Sequence, residues 1–172
     1  MESQEGTSGL DRLVAELQQE IDARERAIYS ARVIEEARNP RNLGRMARPD
    51  AHALVHGWCG DTMEIYLRLK GQRIQKATCV TDGCGPSLAC GGMLTATVEG
   101  LTLGDASQVT PEDLVAALDG LPEESAHCTE LAVSTLRKAM DGRCIEHQAQ
   151  DAKQAPGGNR GSKQSRLVHR DR

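Results

Sequence analysis

The sequence predicts an α+β fold: helices packed on a three-stranded antiparallel sheet, preceded by an amphipathic helix. Three observations predict it. Residues 62–69 alternate in strand fashion and run into a hairpin turn. Helix starts and stops are spaced through 85–142. Leu10, Leu13, Val14, Leu17 and Ile21 repeat with helical period.

Taken in order, residues 1–9 are small and polar and read as a frayed terminus. The Leu10–Ile21 stripe opposes Glu16, Gln18, Glu20, Asp22 and Arg24. Its pattern extends through Ile28, Val33 and Ile34 to about Ala37, where Asn39-Pro40 stops it. Such a face either docks on its own domain or serves a partner or a second copy. Residues 39–50 are turn-rich and form a loop, and a strand follows at about 52–58. Met63, Ile65, Leu67 and Leu69 then alternate with Thr62, Glu64, Tyr66 and Arg68, as in a half-buried strand. Lys70-Gly71-Gln72-Arg73 is a hairpin turn, and Ile74–Thr81 makes the third strand. Three short strands cannot bury a face alone, so helices must cover one side.

Gly85-Pro86-Ser87 opens a helix through about Glu99, with Gly100 closing it. Thr110-Pro111-Glu112-Asp113 starts a helix over 111–118, and Leu121-Pro122 breaks it. Ala132, Leu136 and Met140 line one face of a last helix from about Ala126, which Gly142 is expected to end. From Gln148 the chain carries six Lys/Arg against two Asp and has little to bury, which predicts a disordered basic tail. Contact with nucleic acid is the alternative to a solvated terminus there. The expected organisation is an extension over 1–28, a domain over 29–147 and a tail over 148–172.

Composition narrows the function. No apolar run in the 172 residues approaches the roughly 20 that a membrane-spanning helix needs. The start is acidic and polar, without a leader pattern, so a cytoplasmic protein is expected. Six cysteines in that reducing setting point to metal binding or thiol chemistry rather than disulfides. With no Phe, one Trp and two Tyr, base-stacking recognition of nucleic acid is disfavoured, and a net charge of −4 suggests no polyanion partner.

Three cysteines sit in suggestive places. Cys59, in Trp58-Cys59-Gly60-Asp61, lies between the first two strands, where Gly60 allows a turn that aims the thiol and the Asp61 carboxylate at one centre. Cys84, in Asp82-Gly83-Cys84-Gly85-Pro86, stands where a strand meets a helix start. Cys128, preceded by His127, stands at another helix start. Unpaired N–H groups and the helix dipole favour a thiolate at both. The separations are 25 and 44 residues, so a shared site exists only if the tertiary fold closes it. Cys79, Cys90 and Cys144 read as packing residues.

The segments Tyr29-Ser30, Val33-Ile34, Asn39-Pro40-Arg41-Asn42, Cys59-Gly60-Asp61, Gly83-Cys84-Gly85, Ala89-Cys90, Glu99-Gly100, Leu121-Pro122, His127-Cys128 and Leu131-Ala132 occur in that order. Together they resemble the IscU/NifU-type iron–sulfur cluster scaffolds over roughly residues 29–145. The resemblance implies a SufE/NifU-like sheet with helices on it and a cluster site at one tip. It implies Cys59, Cys84 and Cys128 as ligands, completed by Asp61 or His127. It also implies Cys128 as the acceptor of persulfide sulfur from a cysteine desulfurase, with His127 as proton donor or alternate ligand. Tyr29 matches a tyrosine linked in the family to dimer contacts. The cargo it implies is a [2Fe–2S] cluster, or a [4Fe–4S] cluster in a homodimer, built from Fe2+. The implied partners are the desulfurase, an electron donor such as a ferredoxin, and apo iron–sulfur proteins.

Leu121-Pro122-Glu123-Glu124-Ser125 departs from the Leu-Pro-Pro-Val-Lys segment through which bacterial IscU proteins bind their Hsp70. No long insertion separates Cys84 from Cys128, which argues against the zinc-dependent SufU branch. The family pattern here is that of the scaffold domain alone. Permanent [2Fe–2S] sites usually have four thiolates. A carboxylate in place of one makes an iron easier to lose, as a scaffold requires. The rival readings are a protein that holds Zn2+ with the same ligands and accepts sulfur, and an interaction module working through the 10–28 helix.

Overall fold

Alternation builds the sheet. In the computed structural model, which describes the backbone of residues 9–154 and the side chains of residues 9–142, β1 (Ala51–His56), β2 (Thr62–Lys70) and β3 (Arg73–Thr81) form an antiparallel sheet in that order. The register aligns Ala53, Ile65 and Cys79 in one row and Ala51, Leu67 and Ala77 in the next. All six are buried, and this is the face the helices cover. A register shift between Arg68 and Leu69 sets Leu69 opposite Ile74 before the Gly71 turn.

The helices are α1 (Gly9–Ile28), α2 (Ala31–Arg38), α3 (Gly85–Val98), α4 (Leu103–Ser107), α5 (Pro111–Ala117) and α6 (Ala126–Gln154). α6 lies on β1 and β2, α3 lies on β3 and α6, and α2 and α5 pack against α3. α3 is therefore buried nearly all round, and its composition follows: Ala89, Cys90, Leu94 and Val98 are fully enclosed. Gly91 and Gly92 allow its closest approaches. A Cβ at Gly91 would lie 2.9 Å from the Cys79 sulfur, and one at Gly92 would lie 3.2 Å from the Arg41 backbone. Cys79 and Cys90 are core residues, as their positions predict, and burial pushes the Cys79 thiol up to about 11.

The Asn39–Gly44 loop closes the free edge of the sheet. Cys79 N donates to Asn42 O at 2.9 Å, and Gly44 N donates to Cys79 O at 2.8 Å. Arg41 anchors the loop on the buried Glu36 at 2.7 Å.

Several elements differ from expectation. The helical pattern does not run unbroken from Leu10 to Ala37; it breaks at Tyr29-Ser30. Ser30 Oγ caps the next helix by accepting from Val33 N at 3.1 Å, and donates to Leu118 O at 2.6 Å. α1 buries none of its residues; Leu10 to Ile21 remain half or more exposed, and Arg38 ties α1 to α2 through Asp22 and Glu25 at 2.6 Å each. The first strand ends at His56, because Gly57 N donates to Asp61 O at 2.8 Å and turns the chain. Tyr66, placed on the solvent face by alternation, is buried there: His52 stacks on it at 4.5 Å and Glu64 accepts its hydroxyl.

α4 and a single 3-10 turn at Glu123–Ser125 are additional elements. Gly142 does not end α6, which continues to Gln154. Glycine stops a helix by turning to positive φ, and Gly142 does not do so. The expected tail is helical through Gln154, and its remainder, 155–172, lies outside the described residues, as does the side chain of Cys144. Among the described residues, no helix is long and apolar enough to cross a membrane.

Candidate metal centre

Three structural junctions meet at one end of the sheet. The β1–β2 turn carries Cys59 and Asp61. Cys84, at the end of β3, is the N-cap residue of α3, with extended φ and ψ of −73° and −179°. The start of α6 carries His127 and Cys128. The Cys84 junction places its thiol at a helix N-terminus, beside first-turn N–H groups that have no partner within the helix.

The buried heart of the site is Ser87. Its hydroxyl, fully enclosed, lies 2.9 Å from Asp61 Oδ2, 3.4 Å from Cys128 Sγ and 3.7 Å from Cys84 Sγ. His127 Nε2 stands 3.5 Å from Cys128 Sγ. Asp61, Cys84, His127 and Cys128 are thus linked within one shell. Cys59 is exposed and lines a recess of about 270 Å³ with Trp58, His127 and Leu131. Trp58 meets the His127 ring edge-on at 5.1 Å. Tyr29 lines a second recess, of about 280 Å³, that reaches Cys84 and Pro86.

Among the described residues, no three His, Cys, Asp or Glu side chains form a complete metal cage. The donor set nevertheless fits iron: soft thiols with one hard carboxylate and one imidazole, on two helix starts and a turn. Cys59, on the 57–60 turn, lines the recess next to His127. Gly60, at φ +94°, holds a backbone conformation that favours glycine and shapes that turn.

Electrostatics distinguishes the thiols. The helix-start argument predicts a thiolate at Cys128, but burial pushes this thiol up to about 11, with the nearby Cys84 and Asp61 adding to the shift. The Ser87 hydrogen bond pulls the other way and does not overcome desolvation. In the metal-free protein, alkylation at pH 8 followed by mass spectrometry should therefore modify exposed Cys59 and Cys84 first. Cys128 should lag at least about tenfold and gain rate as pH rises from about 9 toward 11. Equal rates at pH 8 would contradict this order.

Ser87 is the one central residue that sequence reasoning did not single out. A signal was present: with Cys84 at the N-cap, Ser87 occupies the third helical position, whose side chain neighbours the cap residue.

The chain is similar to known proteins over most of the described residues. The family model for the NifU-like N terminal domain matches residues 28–144. "Iron-sulfur cluster assembly scaffold protein IscU 1" of Archaeoglobus fulgidus is 36% identical over 114 residues, 66% of this chain and 74% of that protein. The IscU scaffold protein of Aquifex aeolicus is 32% identical over 117 residues, 65% of this chain and 73% of its own length. Among solved structures, a candidate iron–sulfur cluster assembly scaffold of the SUF system from Fervidobacterium islandicum superposes with a TM-score of 0.55. It covers 66% of this chain and 97% of its own, and at 17% identity it speaks to the fold and not to the branch. With the matched region spanning the sheet and all three junctions, the chain belongs to the NifU-like N-terminal domain family.

Proposed function

We propose that this chain is a scaffold on which an iron–sulfur cluster is assembled from iron and persulfide sulfur and then passed to apo-proteins. The cluster is its cargo, and the chain is not itself an enzyme. One observation carries the reading: Asp61, Cys84 and Cys128 gather around a buried hydroxyl, with His127 touching Cys128 and Cys59 on a turn beside them. The relatives named as cluster assembly scaffolds support it.

Sulfur enters at Cys128 in this reading. Its raised thiol must lose a proton before it can attack, and His127 Nε2, 3.5 Å away, is placed to take it. The Cys128 thiolate then attacks the sulfane sulfur of a desulfurase persulfide. A new S–S bond forms on Cys128, and the donor cysteine leaves as a thiolate. His127 can return the proton when this persulfide is later reduced to sulfide by an electron donor such as a ferredoxin. Iron is held by the thiolates of Cys59, Cys84 and Cys128 with Asp61 as the exchangeable ligand. A [4Fe–4S] product would call for two chains.

Anaerobic reconstitution with a cysteine desulfurase, Fe2+ and cysteine tests the proposal. The expected result is a coloured protein carrying about two irons and two sulfides per chain, as a [2Fe–2S] centre does, which gives up its cluster to an apo-ferredoxin. A colourless protein that holds one tightly bound Zn2+ and takes no cluster would overturn it.

A further inference from the structure

We propose that Ser87 is a positioning residue of this site, whose buried hydroxyl holds the Asp61 carboxylate against the Cys84 and Cys128 thiols before any metal arrives. The inference rests on the scaffold reading for the identity of the ligands. It adds the device that keeps them assembled when the site is empty of cargo.

Three observations support it. Ser87 is fully buried, and its Oγ stands within 3.7 Å of three groups that come from three separate parts of the chain. A hydroxyl has one proton and two lone pairs. The proton is shared between two acceptors, the nearer and stronger Asp61 Oδ2 at 2.9 Å and Cys128 Sγ at 3.4 Å, and a lone pair remains for the Cys84 S–H at 3.7 Å. One small side chain therefore contacts all three at once.

The second observation is the space cleared for that bond. A Cβ at Gly83 would stand 2.6 Å from Ser87 Oγ and would also collide with Asp61 Oδ2. Only glycine at 83 lets the carboxylate and the hydroxyl meet. Gly83 is itself fixed, since its N–H donates to Thr81 Oγ1 at 3.1 Å.

The third is the free carboxylate oxygen. The Ser87 bond engages Oδ2, and among the described residues no hydrogen bond is seen to Oδ1, so that oxygen is left for an incoming cation in this proposal. A partner on the outer oxygen of a ligating carboxylate orients the ligand without competing for the metal. Removing Ser87 would release Asp61 to solvent, and its side chain would have to be ordered again at each capture event.

The measurement is anaerobic Co2+ titration of the metal-free full chain, read by the thiolate-to-cobalt charge-transfer band. It compares wild type, Ser87→Ala, Asp61→Ala and the double variant. Ser87→Ala should weaken Co2+ binding about 10-fold or more, in the range typical for loss of an outer-shell partner. In the Asp61→Ala background, where the remaining thiols and His127 still bind Co2+, the same change should have little further effect. Gly83→Ala retains every ligand and the hydroxyl, and should reproduce the Ser87→Ala loss by separating the pair. Melting curves of the metal-free proteins establish that each variant is folded.

Unchanged affinity in Ser87→Ala overturns the inference and leaves the scaffold reading standing. An equal loss in both backgrounds also overturns it, because Ser87 would then act through the sulfurs or the fold. Absence of the charge-transfer band in wild type defeats the ligand assignment itself.

Discussion

Cys128→Ser is expected to lower the yield of assembled cluster by more than about 100-fold, beyond the upper end of what loss of an outer-shell partner costs a metal site. The substitution nearly conserves volume in a fully buried position at the start of α6, so the fold should survive. A hydroxyl cannot carry sulfane sulfur, and it is a poor ligand for iron beside soft thiolates. The loss therefore falls on two steps at once. They separate experimentally: intact-mass measurement after exposure to a desulfurase and cysteine reports the added sulfur, and visible absorption reports the cluster. The variant should show neither, while Cys84→Ser should still acquire a sulfur atom on Cys128. Persistence of the sulfur adduct in Cys128→Ser would move the acceptor to another cysteine.

Asp61→Ala has a large expected effect in the opposite direction on lifetime. Once assembled, its cluster should persist longer, and transfer to an apo-ferredoxin should slow by about 10-fold, the scale on which ligand environments alter metal exchange. The carboxylate is the hard member of an otherwise soft set, so the iron it holds is the one most readily exchanged with water or an incoming cysteine. The same weakness that makes Asp61 a good exit makes it a good entrance, since a carboxylate captures a hydrated divalent ion before thiols have lost their protons. The variant should thus load slowly and unload slowly. Paired kinetic traces of loading and transfer distinguish this from general damage, which would hasten cluster loss without slowing transfer to the acceptor.

The parts of the fold legible in the sequence are those in which local pattern and tertiary packing agree. β2 and its hairpin read clearly, because Met63, Ile65 and Leu67 all turn to one covered face. The helix starts at Gly85 and Thr110 read clearly because Pro and capping residues mark them. Where two forces compete, the pattern alone misleads. Val33 and Ile34 prolong the hydrophobic series of α1, yet Ser30 gains more by capping α2 and binding Leu118 O than by continuing a helix. Tyr66 lies on the outer face and is buried by neighbours that no single-strand pattern can show. α4 has a cap signature, Thr102 three residues before Asp105, but is too short for periodicity to register.

The site shows the same division. Cys84, His127 and Cys128 stand out by residue type and by position at helix starts. The Asp61–Ser87 contact spans 26 residues and depends on the missing side chain at Gly83, so spacing offers no hint of it. Cys59 is legible as a member of the Cys-Gly-Asp turn, but its exposed place in the recess beside Trp58 and His127 is a property of the turn's shape and not of its sequence.

That turn also holds the chain's one tryptophan. Trp58 is 82% exposed, adjoins Cys59 and leans edge-on against His127. Because no second indole exists to dilute the signal, nearly all of the protein's fluorescence excited at the red edge of the ultraviolet arises within one residue of Cys59, a ligand in the proposed function. Iron–sulfur chromophores absorb where indole emits, so the arrival and departure of cargo become optical events. Loading at the proposed site can then be timed in the natural sequence without an attached dye, since Trp58 is exposed and meets His127 at 5.1 Å.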